Sequence, residues 1–326
     1  MSAYFHRSSV KDKMNRLGKE GKSFVFILDY ELQKPILIEE KNFISNDILF
    51  NIRGFKNYVP STPVLSPEIS PEPISYTKYL SAFRKVITEL QTGNSYLVNL
   101  TFPTRINSKF SLEQLFHSSL ATYKLFYKNN FLVFSPECFI RISKGCISTY
   151  PMKGTIDADI ENAEEILLSD RKELAEHATI VDLLRNDLSI VASNVQVKKF
   201  HYLEKIKTSK KNLLQMSSEI TGDLPENYRE NIGDILFSLL PAGSICGAPK
   251  KKTLEIIKEI ENYSRGYYTG VFGYFDGENL DSSVMIRFIE KNKNGLFYKS
   301  GGGITTLSDP EKEYQELIDK VYVPIN

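Results

Sequence analysis

Apolar residues recur with two spacings along the chain, and the spacing changes at breaks marked by glycine or proline. SFVFILDY (23–30) is apolar almost throughout and predicts a buried strand, and PILIEE continues in extended character. Ahead of them, residues 1–22 are polar and basic and predict a short helix or a frayed arm. ISYTKYLSAFRKVITELQTGN puts Tyr79, Leu80, Phe83, Val86, Ile87 and Leu90 at helical spacing and stops at Gly93. SYLVNLTFPTRI predicts a strand, SLEQLFHSSLA a helix, and FLVFS and CFIRIS two strands leading into CISTYP. A long helix follows, from about Asn162 or Ser169 through SDRKELAEHATIVDLLRNDLSIVA, with Leu174, Ala178, Val181, Leu184 and Leu188 on its buried face. VQVKKFHYLEKIK and KKNLLQMSSEITGDL are strand-like. NIGDILFSLLP is a helix stopped by Pro241, PAGSICGAPKK a loop and KKTLEIIKEIENYSR another helix. Residues 267–306 predict three short strands in a meander with DG and NG turns. The last helix, DPEKEYQELIDKV, opens on Ser308 or Asp309 as cap with Pro310 in its first turn.

Strands and helices mix without strict alternation, which predicts an α+β fold on mostly antiparallel sheets. STPVLSPEISPEP (61–73) is proline-rich and reads as a linker, separating residues 1–60 from a main domain at 75–324. No internal repeat is visible. With 41% hydrophobic and 25% charged residues, the 326-residue chain can build one large core or two modest domains. A formal net charge of +1 gives no field for nucleic acid or an anionic membrane. Cys138, Cys146 and Cys246 follow no metal or disulfide spacing, which fits a reducing cytosol. The N-terminus lacks the apolar core of a signal peptide, and no apolar run approaches the ~18 residues of a membrane span. The expected location is therefore cytoplasmic.

Three features carry chemistry. Glu173 with Glu176, and Glu313 with Glu316, stand at i,i+3, so each pair shares one helix face. Such pairs are commonly solvated helix decoration, but two facing helices could hold Mg²⁺ through one or two carboxylates and water. PAGSICGAPK and SGGGIT (300–305) offer backbone N–H groups to an anion, although Gly247 is followed by Ala-Pro and fails the phosphate-loop pattern. Arg287 alternates with apolar neighbours in VMIRFIE, and an inward arginine needs an anionic partner. Together they suggest a small polyanion such as a dicarboxylate. Lys153, in PMKGT (151–155), is either a solvated loop lysine or a reactive one.

The segments SYLVNLT, SPECFI, PMKGT, ELAEHATIVDLLRND, PAGSICGAPK, YYTGVFGYFDG, MIRF, and GGGIT with DPEKEYQE, in that order, resemble the chorismate-utilising enzymes. This family includes the anthranilate synthase large subunits, aminodeoxychorismate synthase and the isochorismate and salicylate synthases. The likeness covers roughly residues 75–324. It implies the chorismate-binding fold of the anthranilate synthase large subunit, antiparallel sheets packed as a sandwich with helices outside. Anthranilate synthases carry Ala where Lys153 stands, whereas lysine there marks aminodeoxychorismate synthase large components. The resemblance thus implies conversion of chorismate and ammonia to 4-amino-4-deoxychorismate, for 4-aminobenzoate and folate synthesis. Lys153 would be the nucleophile at carbon 2, with a lowered pKa, and Glu137 the general acid/base, with a raised one.

By the same resemblance Glu176 and Glu316 would bind Mg²⁺, with Glu173 and Glu313 acting through water. Arg287, Tyr268 and backbone N–H groups around Gly301, Gly302 and Gly303 would meet a substrate carboxylate, and Thr155 and Ser244 would line the site. Gln215 takes the place of a family histidine near the leaving hydroxyl, and glutamine cannot transfer a proton. Lys250 has two readings, backbone contact or substrate contact, while Asp182, Arg185 and Asn186 read as a structural charge network. The family's N-terminal regulatory portion is expected to be absent or vestigial. No Cys lies in a G-x-C-x-G nucleophile turn, so ammonia is expected from a separate glutamine amidotransferase subunit or from solution. Anthranilate synthase component I is the nearest alternative, and a non-catalytic chorismate- or glutaminase-binding relative the alternative of another class.

Overall fold

A computed structural model describes residues 7–60, 68–207 and 212–324. The chain runs α1 (Arg7–Lys19), β1 (Phe24–Leu28), β2 (Ile36–Glu39), β3 (Ile48–Ile52), β4 (Phe55–Lys56), β5 (Ser70–Glu72), α2 (Tyr76–Gln91), β6 (Leu97–Asn107), α3 (Leu112–Ser118), β7 (Tyr123–Tyr127), β8 (Phe131–Ser135) and β9 (Cys138–Ser143). Then come β10 (Cys146–Thr149), β11 (Met152–Asp157), α4 (Ala163–Ser169), α5 (Arg171–Leu188), β12 (Ser193–Lys207), β13 (Asn212–Asp223) and α6 (Ile232–Leu239). The last stretch holds β14 (Gly247–Ala248), α7 (Lys250–Glu261), β15 (Val271–Phe275), β16 (Leu280–Val284), β17 (Phe288–Asn292), β18 (Gly295–Ile304) and α8 (Pro310–Asp319).

The strands form two antiparallel sheets. One is ordered β11-β13-β10-β9-β16-β15-β1-β2, with β12 on the other edge of β13. The second is ordered β14-β6-β18-β17-β8-β7-β3-β4, with β5 also on β6. The continuous apolar run of β1 is explained by burial on both faces. Phe24, Phe26 and Leu28 join a large cluster with residues of α1, α2, α5, α6 and α7. Val25 and Ile27 join a second cluster with Phe50, Leu125, Val133 and Phe288 of the other sheet. The α+β sandwich is as expected.

Several elements differ from the pattern reading. Of its two readings the basic N-terminal segment takes the helix, and the helix is packed: α1 buries Val10, Met14 and Leu17, and Asn15 Oδ1 accepts from the N–H of Gly233 at 2.7 Å. Part of the proline-rich stretch is strand β5, whose Pro71 is tolerated because it lies at a sheet edge; residues 61–67 lie outside the described ones. The long helix is two helices, broken at Asp170, whose Oδ1 accepts from Glu173 N–H at 3.1 Å and starts α5. Ala178 faces solvent. The final meander has four strands divided between the sheets, β15 and β16 in the first, β17 and β18 in the second.

Candidate active site

Strands β10 and β11 pair in succession with one edge of β13, Thr149 opposite Ile220 and Met152 opposite Ser217. Register slips by one residue between Lys153 and Thr155. The slip is a bulge at Gly154, whose φ is +70°. Glycine is favoured there because the conformation is left-handed, and a Cβ would also stand 2.9 Å from Leu167 Cδ1 at the end of its side chain. Bulges re-aim side chains, and this one sits beside Lys153, whose Nζ forms an ion pair with Glu176 on α5. Glu176 is 4% exposed. Thr155 has its backbone opposite Gln215; its side chain lies outside the described residues. Gln215 is half-buried on β13, with Glu204 of β12 on its other side.

Gly301, Gly302 and Gly303 on β18 pair with Thr101, Leu100 and Asn99 of β6 and bring a side-chain-free strand past these charges. A methyl built on Gly303 would stand 3.5 Å from Lys153 Nζ and 3.8 Å from Glu176 Oε2. One on Gly302 would stand 3.4 Å from Glu313 Oε2, 3.8 Å from Lys320 Nζ and 3.9 Å from Glu316 Cδ. Glu173 Oε2 would lie 3.3 Å from a methyl on Gly154. Glu176 of α5 and Glu313 and Glu316 of α8 therefore converge on Gly302 and Gly303, with Glu173 beside Gly154. The orientation of α8 is fixed by its cap, Asp309 Oδ1 accepting from the N–H of Glu311 and Lys312. Glu313 also accepts from Ser308 Oγ at 2.8 Å.

Glu137 lies in the turn between β8 and β9. Its carbonyl accepts from Val284 N–H and, at 2.7 Å, from Ser283 Oγ, and its Oε1 accepts from Ser244 Oγ at 2.5 Å. Burial raises its pKa above the usual carboxylate range; Ser244, Arg287, Lys153 and Lys320 act against that rise but do not cancel it. Ser244 sits in a single helical turn, Gly243–Ile245, held on both sides. Lys250 Nζ donates to Asp187 Oδ2 and to Leu239 O, each at 2.9 Å, and Asp187 faces Gly243. Arg265 donates to Ile245 O at 2.9 Å. Lys250 thus makes the backbone contact of its first reading. Arg185 and Asn186 each donate to Asp182 on the exposed side of α5.

Arg287 is not inside a strand. It falls in the crossover from β16 to β17, where the chain changes sheets, and its φ of +53° is left-handed. The alternation in VMIRFIE comes from two separate strands read as one. Tyr268 is 4% exposed, packs its ring against Phe288 and lies within electrostatic reach of Arg287 and Glu137.

Lys153 departs from the expected electrostatics. Burial pulls its pKa down, but Glu176, with Glu173 and Glu316 behind it, outweighs burial and raises it above the ordinary lysine value. Lysine and carboxylate are held here as an ion pair. A residue the motif reading passed over, Lys320, completes the cluster: its Nζ pairs with Glu316 at 2.6 Å and donates to Gly301 O at 2.7 Å. Its signal was the i,i+4 spacing from Glu316. Burial lowers its pKa.

The helix-borne carboxylates of Glu173, Glu176, Glu313 and Glu316 are the hard oxygen donors that Mg²⁺ prefers. Lys153 and Lys320 supply the positive charge for Glu176 and Glu316, and among the described residues no three Asp, Glu, His or Cys side chains already gather as a metal cluster. The donor chemistry suits a divalent cation, which would have to share those two carboxylates with the lysines. A separate cleft of about 500 Å³ between α2 and α7 holds none of the residues above.

The family model for chorismate binding enzymes matches residues 15–326. The chain belongs to this family. It is 50% identical over 314 residues to an uncharacterised PabA-like protein of Haemophilus influenzae, covering 96% of each chain. It is 35% identical over 263 residues to aminodeoxychorismate synthase component 1 of Salmonella typhimurium, covering 75% of this chain and 56% of that one. In fold it matches the menaquinone-specific isochorismate synthase MenF of Escherichia coli, with a TM-score of 0.74 at 15% identity over 98% of this chain and 82% of that one. Among the described residues no helix is long and apolar enough to cross a membrane.

Proposed function

We propose that this chorismate-binding enzyme is an aminodeoxychorismate synthase, which takes chorismate and ammonia to 4-amino-4-deoxychorismate and water. The observation that carries the reading is Lys153, set by the Gly154 bulge against Glu176 and the Gly303 backbone. The 35% identity to aminodeoxychorismate synthase component 1 supports it.

In this reading the Lys153 amine forms a bond to carbon 2 of the ring, the double bonds shift, and the carbon 4–oxygen bond breaks. Hydroxide is a poor leaving group, so Glu137 delivers a proton and water departs. Ammonia then bonds to carbon 4, the double bonds shift back and the bond to Lys153 breaks. The surplus ammonium proton returns to Glu137. The covalent route replaces one hard displacement by two easier ones. Ser244 holds Glu137 in place, and Arg287 and the Gly301–Gly303 backbone orient the substrate's carboxylates. Glu176 and Glu316 would hold Mg²⁺, with Glu173 and Glu313 behind water, and the ion would supply positive charge to a ring carboxylate. Lys153 must give up its proton before it attacks; burial favours that step and Glu176 opposes it. Ammonia would come from a separate glutamine amidotransferase or from solution.

The test is a product assay with chorismate, Mg²⁺ and an ammonium salt at mildly alkaline pH, read by mass spectrometry, with Lys153→Ala alongside. Aminodeoxychorismate from the wild type, lost by about 10³-fold or more in the variant, is the expected result. Anthranilate or isochorismate from the wild type, or an unaffected variant, would remove Lys153 from the mechanism.

A further inference from the structure

Beyond α8 the chain passes back over Arg287 as a short strap. Val321 N–H donates to Ile318 O, Tyr298 Oη donates to Tyr322 O at 3.1 Å, and Leu120 N–H donates to Pro324 O at 2.8 Å. Val323 is buried. The strap's backbone is thus fixed, and the Tyr322 side chain, 44% exposed, hangs from it. Arg287 Nε donates to Tyr322 Oη at 3.4 Å, and the guanidinium carbon lies 5.5 Å from the centre of the Tyr322 ring. Among the described residues no carboxylate forms an ion pair with this guanidinium, and its side-chain hydrogen bond is to Tyr322.

We propose that Tyr322 is a positioning residue for Arg287, and that by taking the Nε–H it leaves the two terminal nitrogens as the edge presented to an incoming carboxylate. The proposal rests on the reading of Arg287 as a substrate-carboxylate residue. A guanidinium can meet a carboxylate by its Nε–Nη side or by its Nη–Nη end, both bidentate. With Nε engaged, only the end remains. The left-handed backbone at Arg287 and the fixed strap then set the direction of that end before substrate arrives.

The test uses Tyr322→Phe and Tyr322→Ala in the full chain. Steady-state kinetics with chorismate should show KM raised about 3-fold in the first and about 10-fold in the second, with kcat within about 2-fold. A second readout needs no substrate: modification of Arg287 by phenylglyoxal, followed by peptide mass mapping, should be faster in Tyr322→Ala than in wild type. Unchanged KM and unchanged Arg287 reactivity would overturn the proposal. So would a fall in kcat together with a lowered melting temperature, which would make Tyr322 a packing residue. Faster modification with no use of chorismate by the wild type would uphold the contact and overturn the substrate reading beneath it.

Discussion

Ser244 Oγ donates to Glu137 Oε1 at 2.5 Å, across 107 residues of sequence. The serine stabilises the ionised carboxylate and is the largest influence opposing the burial that raises its pKa. As a proton donor, Glu137 works while protonated, so the rate should fall as pH rises through its folded pKa. Removing the hydroxyl in Ser244→Ala should raise that pKa further and move the alkaline limb of the kcat profile to higher pH. The loss of rate at neutral pH should stay below about 10-fold, whereas Glu137→Gln should cost about 10²–10⁴-fold. A limb that stays put in Ser244→Ala would show that another group delivers the proton.

The turn that carries Ser244 leans on a buried ion pair. Arg265 and Glu261 are 2% and 1% exposed in their side chains, with Nη2 to Oε1 at 2.6 Å and Nε to Oε2 at 2.8 Å. The pair is fully bonded: Glu261 also accepts from Thr101 N–H and Oγ1, and Arg265 donates to Ile245 O and Asn99 O. Removing one partner leaves a charge uncompensated in the interior. Glu261→Gln should therefore destabilise the protein by about 3–5 kcal/mol. Denaturant unfolding checks this, and a loss under about 1 kcal/mol would mean that water reaches the site.

Local chemistry was legible in the sequence, and convergence was not. PMKGT singled out Lys153, and i,i+3 spacing placed each Glu pair on one face. Nothing in the pattern said that the faces of α5 and α8 meet at Gly302 and Gly303, because that depends on the order of strands in the sheet. Alternation misled at Arg287, where two strands from different sheets abut across a left-handed residue. Strands β3 and β7 pair with each other across more than seventy residues of chain and are short, so periodicity alone passed over them. Tyr322 carries no sequence signal, since its partner lies 35 residues away in a break between strands.

Gly302 separates fold from function. Its conformation is not left-handed, and an added methyl would meet Glu313, Lys320 and Glu316 at 3.4–3.9 Å, ordinary contact distances. Gly302→Ala should keep stability within about 0.5 kcal/mol of wild type. The methyl would nevertheless stand over the backbone proposed to meet a substrate carboxylate, so KM for chorismate should rise by about 10-fold or more. Calorimetry and kinetics on the same preparation check both halves. An unchanged KM would place the carboxylate elsewhere.

Glu176 and Glu316 each face a lysine, and the proposed Mg²⁺ would have to share them. Chelation with EDTA should abolish product formation, and added Mg²⁺ should restore it. Glu176→Gln and Glu316→Gln should raise the Mg²⁺ needed for half-maximal activity by about 10-fold or more. Lys320→Met should act in the opposite direction on binding, because it removes the cation that now occupies Glu316 at 2.6 Å. Its effect on rate is separate, since Lys320 also holds Gly301 O. Titration calorimetry with Mg²⁺, or Mn²⁺ followed by electron paramagnetic resonance, reads affinity without turnover. Tighter binding in Lys320→Met and weaker binding in the two glutamine variants is the expected pattern. Equal affinity in all four proteins would move the metal away from these carboxylates.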